Sequence, residues 1–125
     1  WVIEPTAELV RRVRAEIPDA KIIGFPRAAG LRLPAYLDAV PVDAVALDWT
    51  VPLEDARRIQ ERLPVQGTLD PMVLLAGGEA LDAEVRRILA ALSGGPFVFN
   101  LGHGIIKETP IAHVERLVEL VRGGA

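Results

Sequence analysis

His103 stands between Gly102 and Gly104, directly after the apolar run formed by Phe97, Val98, Phe99 and Leu101. Neither strand nor helix propensity asks for a histidine between two glycines, so His103 stands out as a site candidate, a turn histidine without a role being the alternative. Three other apolar runs also end in polar residues. Arg27 follows residues 21–25, Asp48 and Trp49 follow residues 44–47, and Gln66, Thr68 and Asp70 lie in or after residues 65–69. Asn100 belongs to the run that leads to His103. Arg27 reads either as a solvated loop charge or as an anion contact, guanidinium being well shaped for carboxylate oxygens. Asp48 reads either as a site residue or as a cap for the helix that Pro52 starts. Asp70, directly before Pro71, reads as an N-cap, and His113, early in a helical pattern, as a surface or packing residue. Two histidines without a cysteine do not make a metal-ligand set. Ser93, the only serine, lies in a helix-ending Ser-Gly-Gly turn and is no nucleophile. Asp48 and Asp70 could be paired as acid and base, but nothing in their spacing requires it.

The elements that must position these groups follow one grammar: apolar run, polar loop, helix start. Strands are expected near residues 21–25, 44–48, 65–69 and 97–101. The first helix starts at Pro5, with Leu9, Val10, Val13 and Ile17 on its inner stripe. The next has Leu31, Tyr36, Leu37 and Val40 inside and closes at Pro41. Leu53, Ala56, Ile59 and Leu63 recur on one face after Pro52. Asp70-Pro71 opens a helix that Gly77-Gly78 interrupts, and Leu81, Val85, Ile88, Leu89 and Leu92 define its second piece. The last starts at Thr109-Pro110, with Ile111, Val114, Leu117, Val118 and Val121 inward and Gly123-Gly124 as a frayed end. Strands alternating with helices of this length predict a parallel sheet. The run at 97–101 reads as a strand covered on both faces, and Gly102 and Gly104 as sites of positive φ and close backbone approach. A complete (β/α)8 barrel needs about 250 residues. Four strands in 125 residues read as half a barrel, a small open doubly wound sheet being the alternative. No GxGxxG or P-loop follows a strand, so a nucleotide-binding version has no support.

Composition narrows the classes. The net charge of −3 provides no basic field, and the pairs Arg11/Arg12, Arg57/Arg58 and Arg86/Arg87 fall in helical patterns, so nucleic-acid binding is not expected. The chain contains no cysteine, which removes disulfides and thiolate metal sites and fits a reducing cytoplasm. No apolar run approaches the roughly 18 residues of a membrane span, so a cytoplasmic protein without membrane contact is expected. The start at Trp1, within a few residues of a helix, suggests a single fragment, residues 1–125, of something longer.

Several motifs carry a family resemblance. Gln66-Gly67-Thr68-Leu69-Asp70-Pro71, followed by Phe99-Asn100-Leu101-Gly102-His103-Gly104-Ile105, resembles the C-terminal half of the uroporphyrinogen decarboxylase family. Phe25-Pro26-Arg27 with Ala29-Gly30, Ala46-Leu47-Asp48-Trp49 before a helix with Ala56-Arg57-Arg58, and Thr109-Pro110 extend the resemblance over nearly the whole chain. It implies the last four β/α units of a (β/α)8 TIM barrel and the decarboxylation of the four acetate side chains of uroporphyrinogen to coproporphyrinogen, in haem and chlorophyll synthesis. It implies no metal or organic cofactor, the protonated pyrrole acting as electron sink. His103 would be the catalytic-site histidine that contacts the substrate's acidic side chains and assists proton transfer. Arg27, Asp48, Gln66 and Asn100, picked out by their strand-end positions, are expected to join it in substrate binding. The family's essential aspartate, principal arginine and tyrosine would lie in a missing N-terminal half, so the fragment alone should be inactive. A homodimer is implied. Thr68 stands where the family usually has Asn, and Ala28 where it has Gly. The alternatives are a corrinoid-dependent methyltransferase of the same superfamily, which the lack of cysteine opposes, and a non-catalytic half-barrel that binds a carboxylated ligand or a partner.

Overall fold

The computed structural model describes residues 1–123. Gly124, expected in a frayed terminus, lies outside the described residues, while Gly123 still belongs to the last helix. The order is α1 (Ile3–Glu16), β1 (Ile23–Gly24), a 3-10 turn (Gly30–Arg32), α2 (Leu33–Ala39), β2 (Ala44–Ala46), α3 (Leu53–Gln60), β3 (Val65–Leu69), α4 (Pro71–Ala76), α5 (Gly78–Leu92), β4 (Phe97–Leu101) and α6 (Ile111–Gly123). The strands form one sheet in the order β1-β2-β3-β4, every pair parallel. β3 and β4 have the expected bounds; β1, which pairs only at Ile23 and Gly24, and β2, which ends at Ala46, are shorter than expected.

The core lies on one face of the sheet. Val45, Val65, Leu69, Leu74, Leu81, Val85, Ile88 and Leu92 are fully or almost fully buried there, with Ala56 of α3 among them. α5 supplies four of these from positions 81, 85, 88 and 92, the i, i+3, i+4 spacing that puts side chains on one stripe. At roughly 1.5–3 kcal/mol per fully buried aliphatic side chain, that stripe is a main source of stability. Asp70 caps α4, accepting the Met72 N–H at 2.8 Å, and Gly77 at φ 67° separates α4 from α5. His113 is a packing residue: its Nδ1 lies 3.0 Å from the Leu74 carbonyl, which ties α6 to the end of α4.

Several expectations fail for one reason, that the outer helices and edge strands have neighbours on fewer sides than periodicity assumes. In α1 the buried residues are Ala7 and Val10, whereas Leu9 and Ile17 are exposed. Leu31 is fully exposed rather than inward, and Ile111 and Val118 of α6 point to solvent while Val114, Leu117, Leu120 and Val121 pack on the core. β4 is covered on one face only. Phe97, Phe99 and Leu101 pack toward the core, while Val98 is half-exposed and Asn100 exposed. Ile23 of β1 is exposed on the same open face, reached across the register Ile23↔Ala44, Ala46↔Gln66 and Gln66↔Val98.

Candidate active site

The strand ends carry the site. Parallel α/β sheets place their functional groups at the carboxyl edge, where the loops converge. His103 lies just beyond β4 and Phe25 just beyond β1, on opposite edge strands, yet their ring centroids are 6.1 Å apart with planes tilted by 43°. Both rings are exposed. The two outermost loops therefore meet over the sheet, and Phe25 gives the imidazole a wall on one side.

Gly102 makes this approach possible through close packing. Its N–H donates to the Leu69 carbonyl at 2.7 Å. A Cβ built there would lie 2.7 Å from the Trp49 nitrogen and 3.0 Å from the Asp48 Cα, closer than side-chain carbons pack against backbone. The expectation of positive φ at Gly102 and Gly104 is corrected: neither has it, and a Cβ at Gly104 would meet open space. Positive φ falls instead on Gly67, at 123°, where a Cβ would collide with the Leu47 carbonyl oxygen, and on Ala28, at 54°.

Asp48 is only 4% exposed. Its Oδ2 accepts the Ala28 N–H at 2.6 Å, and its Oδ1 accepts the Thr50 N–H at 2.9 Å together with the Thr50 hydroxyl. Burial pushes the carboxyl pKa up. The Thr50 hydroxyl, the N–H groups of Ala28 and Thr50 and the nearby Arg27 charge outweigh it and hold the acid below its ordinary value. Both oxygens are thus engaged by the protein. Asp48 also does not cap α3, whose N-cap residue is Pro52 without a side-chain bond. It is an anion set beneath the mouth.

Arg27 is exposed in the same loop as Ala28 and acts on Asp48 through its charge. Gln66 is half-buried on the open face of β3, opposite Val98. Asn100 shares that face two residues along β4, and its Oδ1 accepts the Leu101 N–H at 2.8 Å. Thr68, in register with Asn100, is buried. Trp49 is partly exposed above Gly102. No local pattern marks Phe25 as a partner of His103, whereas the Asp-x-Thr spacing is the signal for Thr50 as a donor to Asp48.

A parallel sheet with Arg27 and His103 in the loops at its carboxyl edge has the site placement of β/α-barrel enzymes, and its four strands alternating with helices are consistent with part of such a barrel. The chain belongs to the uroporphyrinogen decarboxylase family, whose model, described as Uroporphyrinogen decarboxylase (URO-D), matches residues 1–124. Relatives named uroporphyrinogen decarboxylase include those of Rhizorhabdus wittichii, 57% identical over 98% of this chain, Chelativorans sp., 56% over 99%, and Sphingopyxis alaskensis, 54% over 99%. The chain spans 36% of the length of each of these relatives.

Proposed function

We propose that this chain forms the His103-bearing part of a uroporphyrinogen decarboxylase, acting in the cytoplasm on the four acetate side chains of uroporphyrinogen to give coproporphyrinogen. The observation that carries the reading is the placement of His103: an exposed imidazole at the carboxyl edge of the sheet, walled by Phe25 from the far strand, in a chain of this family. In each step the bond from the acetate methylene to its carboxyl breaks and carbon dioxide leaves. The electron pair passes into the protonated pyrrole, a proton is added at the methylene carbon, and the ring gives up the proton it had taken, so that each step consumes one proton in all. No metal or organic cofactor is required. His103 and Arg27 meet substrate carboxylates as hydrogen-bonding or charged partners, and Gln66 and Asn100 offer amides from the open face of the sheet. The named relatives are decarboxylases, which favours this reading over a corrinoid-dependent methyltransferase or a non-catalytic half-barrel.

His103→Asn in the full-length protein tests it. Turnover of uroporphyrinogen should slow, or the order of decarboxylation change, with the melting temperature held, because an exposed loop side chain contributes little packing. Unchanged kinetics across substrate concentrations would overturn the role. The 125-residue chain alone is expected to be inactive and to self-associate, since the catalytic groups of the remaining barrel are lacking and β1 and β4 are open edges. In the whole protein the partners are that remaining barrel and a second copy in a homodimer. A monomer by sedimentation at micromolar concentration, or coproporphyrinogen formed by the purified chain, would contradict these expectations.

A further inference from the structure

We propose that Asp48 is a positioning residue of this site, one carboxylate that ties the loop after β1 to the loop after β2 and so fixes the backbone on which the loop after β4 is packed. The inference rests on the functional reading above for its catalytic consequence but on the geometry for its mechanism. Oδ2 takes the Ala28 N–H of the first loop, and Oδ1 takes the N–H and hydroxyl of Thr50 in the second. The third loop comes in through Gly102, whose Cα has no side chain to hold it away from the Asp48 and Trp49 backbone. The residues these loops present are the exposed ones: Phe25 and Arg27 from the first, Trp49 from the second, His103 from the third. Asp48 is nearly inaccessible and its acceptors are occupied, so it serves the site through Ala28 and Thr50 and not by touching substrate. Ala28 sharpens the point. A non-glycine residue at φ 54° is uncommon, and its N–H is held there by the short bond to the carboxylate.

Two variants of the full-length protein test this, Asp48→Asn and Thr50→Val, with Thr50→Ser as the conservative control. An amide has one accepting oxygen and cannot satisfy donors on both sides, while valine removes only the hydroxyl bond. The first readout needs no catalysis. Amide exchange at Ala28 and at Gly102, whose N–H groups are bonded to Asp48 and to Leu69, should be slow in the parent protein, rise at least tenfold at both places in Asp48→Asn, and rise less in Thr50→Val. The second is kinetic, on the folded fraction: kcat/KM for uroporphyrinogen should fall about tenfold in Asp48→Asn, and Thr50→Ser should recover what Thr50→Val loses.

A merely structural carboxylate would lower the melting temperature and leave kcat/KM of the folded protein unchanged; that result overturns the proposal. So does exchange that rises at Ala28 but not at Gly102. If Asp48→Asn does not fold, Thr50→Val against Thr50→Ser decides by the same two readouts. A parent protein that does not decarboxylate uroporphyrinogen would defeat the functional reading instead, and the exchange pattern alone would then judge the lock.

Discussion

One sheet carries two unlike faces. Toward the helices, Val45, Val65 and Leu69 close against α3 and α5 with no exposed surface, and a continuous buried cluster runs from Leu74 to Leu92. On the other face, Ile23 and Val98 are half-exposed and Gln66 and Asn100 share the surface with them. The strands of β4 residues alternate between the two: Phe97, Phe99 and Leu101 inward, Val98 and Asn100 outward. Stability therefore resides on one side of a layer of backbone, and the groups proposed for chemistry sit on the other side and along its edge. The difference teaches that a large apolar side chain in this sheet is fully buried where a helix lies over it and half-exposed where none does, as Val65 and Val98 show.

The largest expected effect breaks the closed face. Leu81 is fully buried at the centre of the α5 stripe. Leu81→Ala should destabilise the chain by ~2–5 kcal/mol, the range for truncating a buried leucine. Val98→Thr, on the open face, should stay within about 0.5 kcal/mol. Urea unfolding of both variants checks the contrast, and equal losses would mean that the open face is covered in solution.

The next effect compares two glycines one residue apart from the same histidine. Gly102→Ala forces a methyl group against the Asp48 and Trp49 backbone and should cost about 1–3 kcal/mol, as overpacking does. Gly104→Ala meets open space without positive φ and should be nearly silent. Thermal unfolding of the pair separates them; a silent Gly102→Ala would show that the His103 loop is not pressed onto β2.

Much of this architecture was legible in the sequence. Val65–Leu69 and Phe97–Leu101 follow from apolar runs bounded by turn residues, and the four parallel strands follow from their alternation with Pro-started helices. Asp70 as a cap and His113 as packing follow from local chemistry. What periodicity could not show is which stripes have a neighbour: Leu9, Leu31, Ile111 and Val118 have the spacing of inner residues and lie outside. The site was half legible. His103 and Arg27 are exposed at the mouth as their loops suggested, but the direction of Asp48 depends on an N–H twenty residues away, which no local pattern encodes.

A smaller effect separates the mouth from the core by pH. The Asp48 carboxyl is held below its ordinary value, so folding favours its charged form. The sign follows: this contribution is fully present above the unfolded value of about 4, and is lost as pH falls through the lower folded value. Acid should loosen the Ala28 and Thr50 amides before the buried α5 stripe, because the acids of α5 that are held low, Asp82 and Glu84, pair with Arg116 and Arg87 off that stripe. Amide exchange between pH 5 and pH 3 reads this directly. Simultaneous loss of protection at Ala28 and Val85 would place the lock and the core in one unfolding unit.

The smallest expected effect is a gain. Ala28 occupies φ 54°, where a Cβ crowds the following carbonyl and costs roughly 1–2 kcal/mol relative to the right-handed region. Glycine removes that cost but loses more conformational freedom on folding, which returns about 0.4–1 kcal/mol. The balance for Ala28→Gly is a stabilisation of about 0.5 kcal/mol, or a rise of about 2 °C in melting temperature for a domain of this size. The bond from residue 28 to Asp48 uses only backbone N–H, so the substitution keeps the lock while relaxing its strained member. A fall in melting temperature would mean that the methyl group of Ala28 packs usefully at the mouth, and the contrast between a closed, stabilising face and an edge held by polar contacts would then be less sharp at this loop.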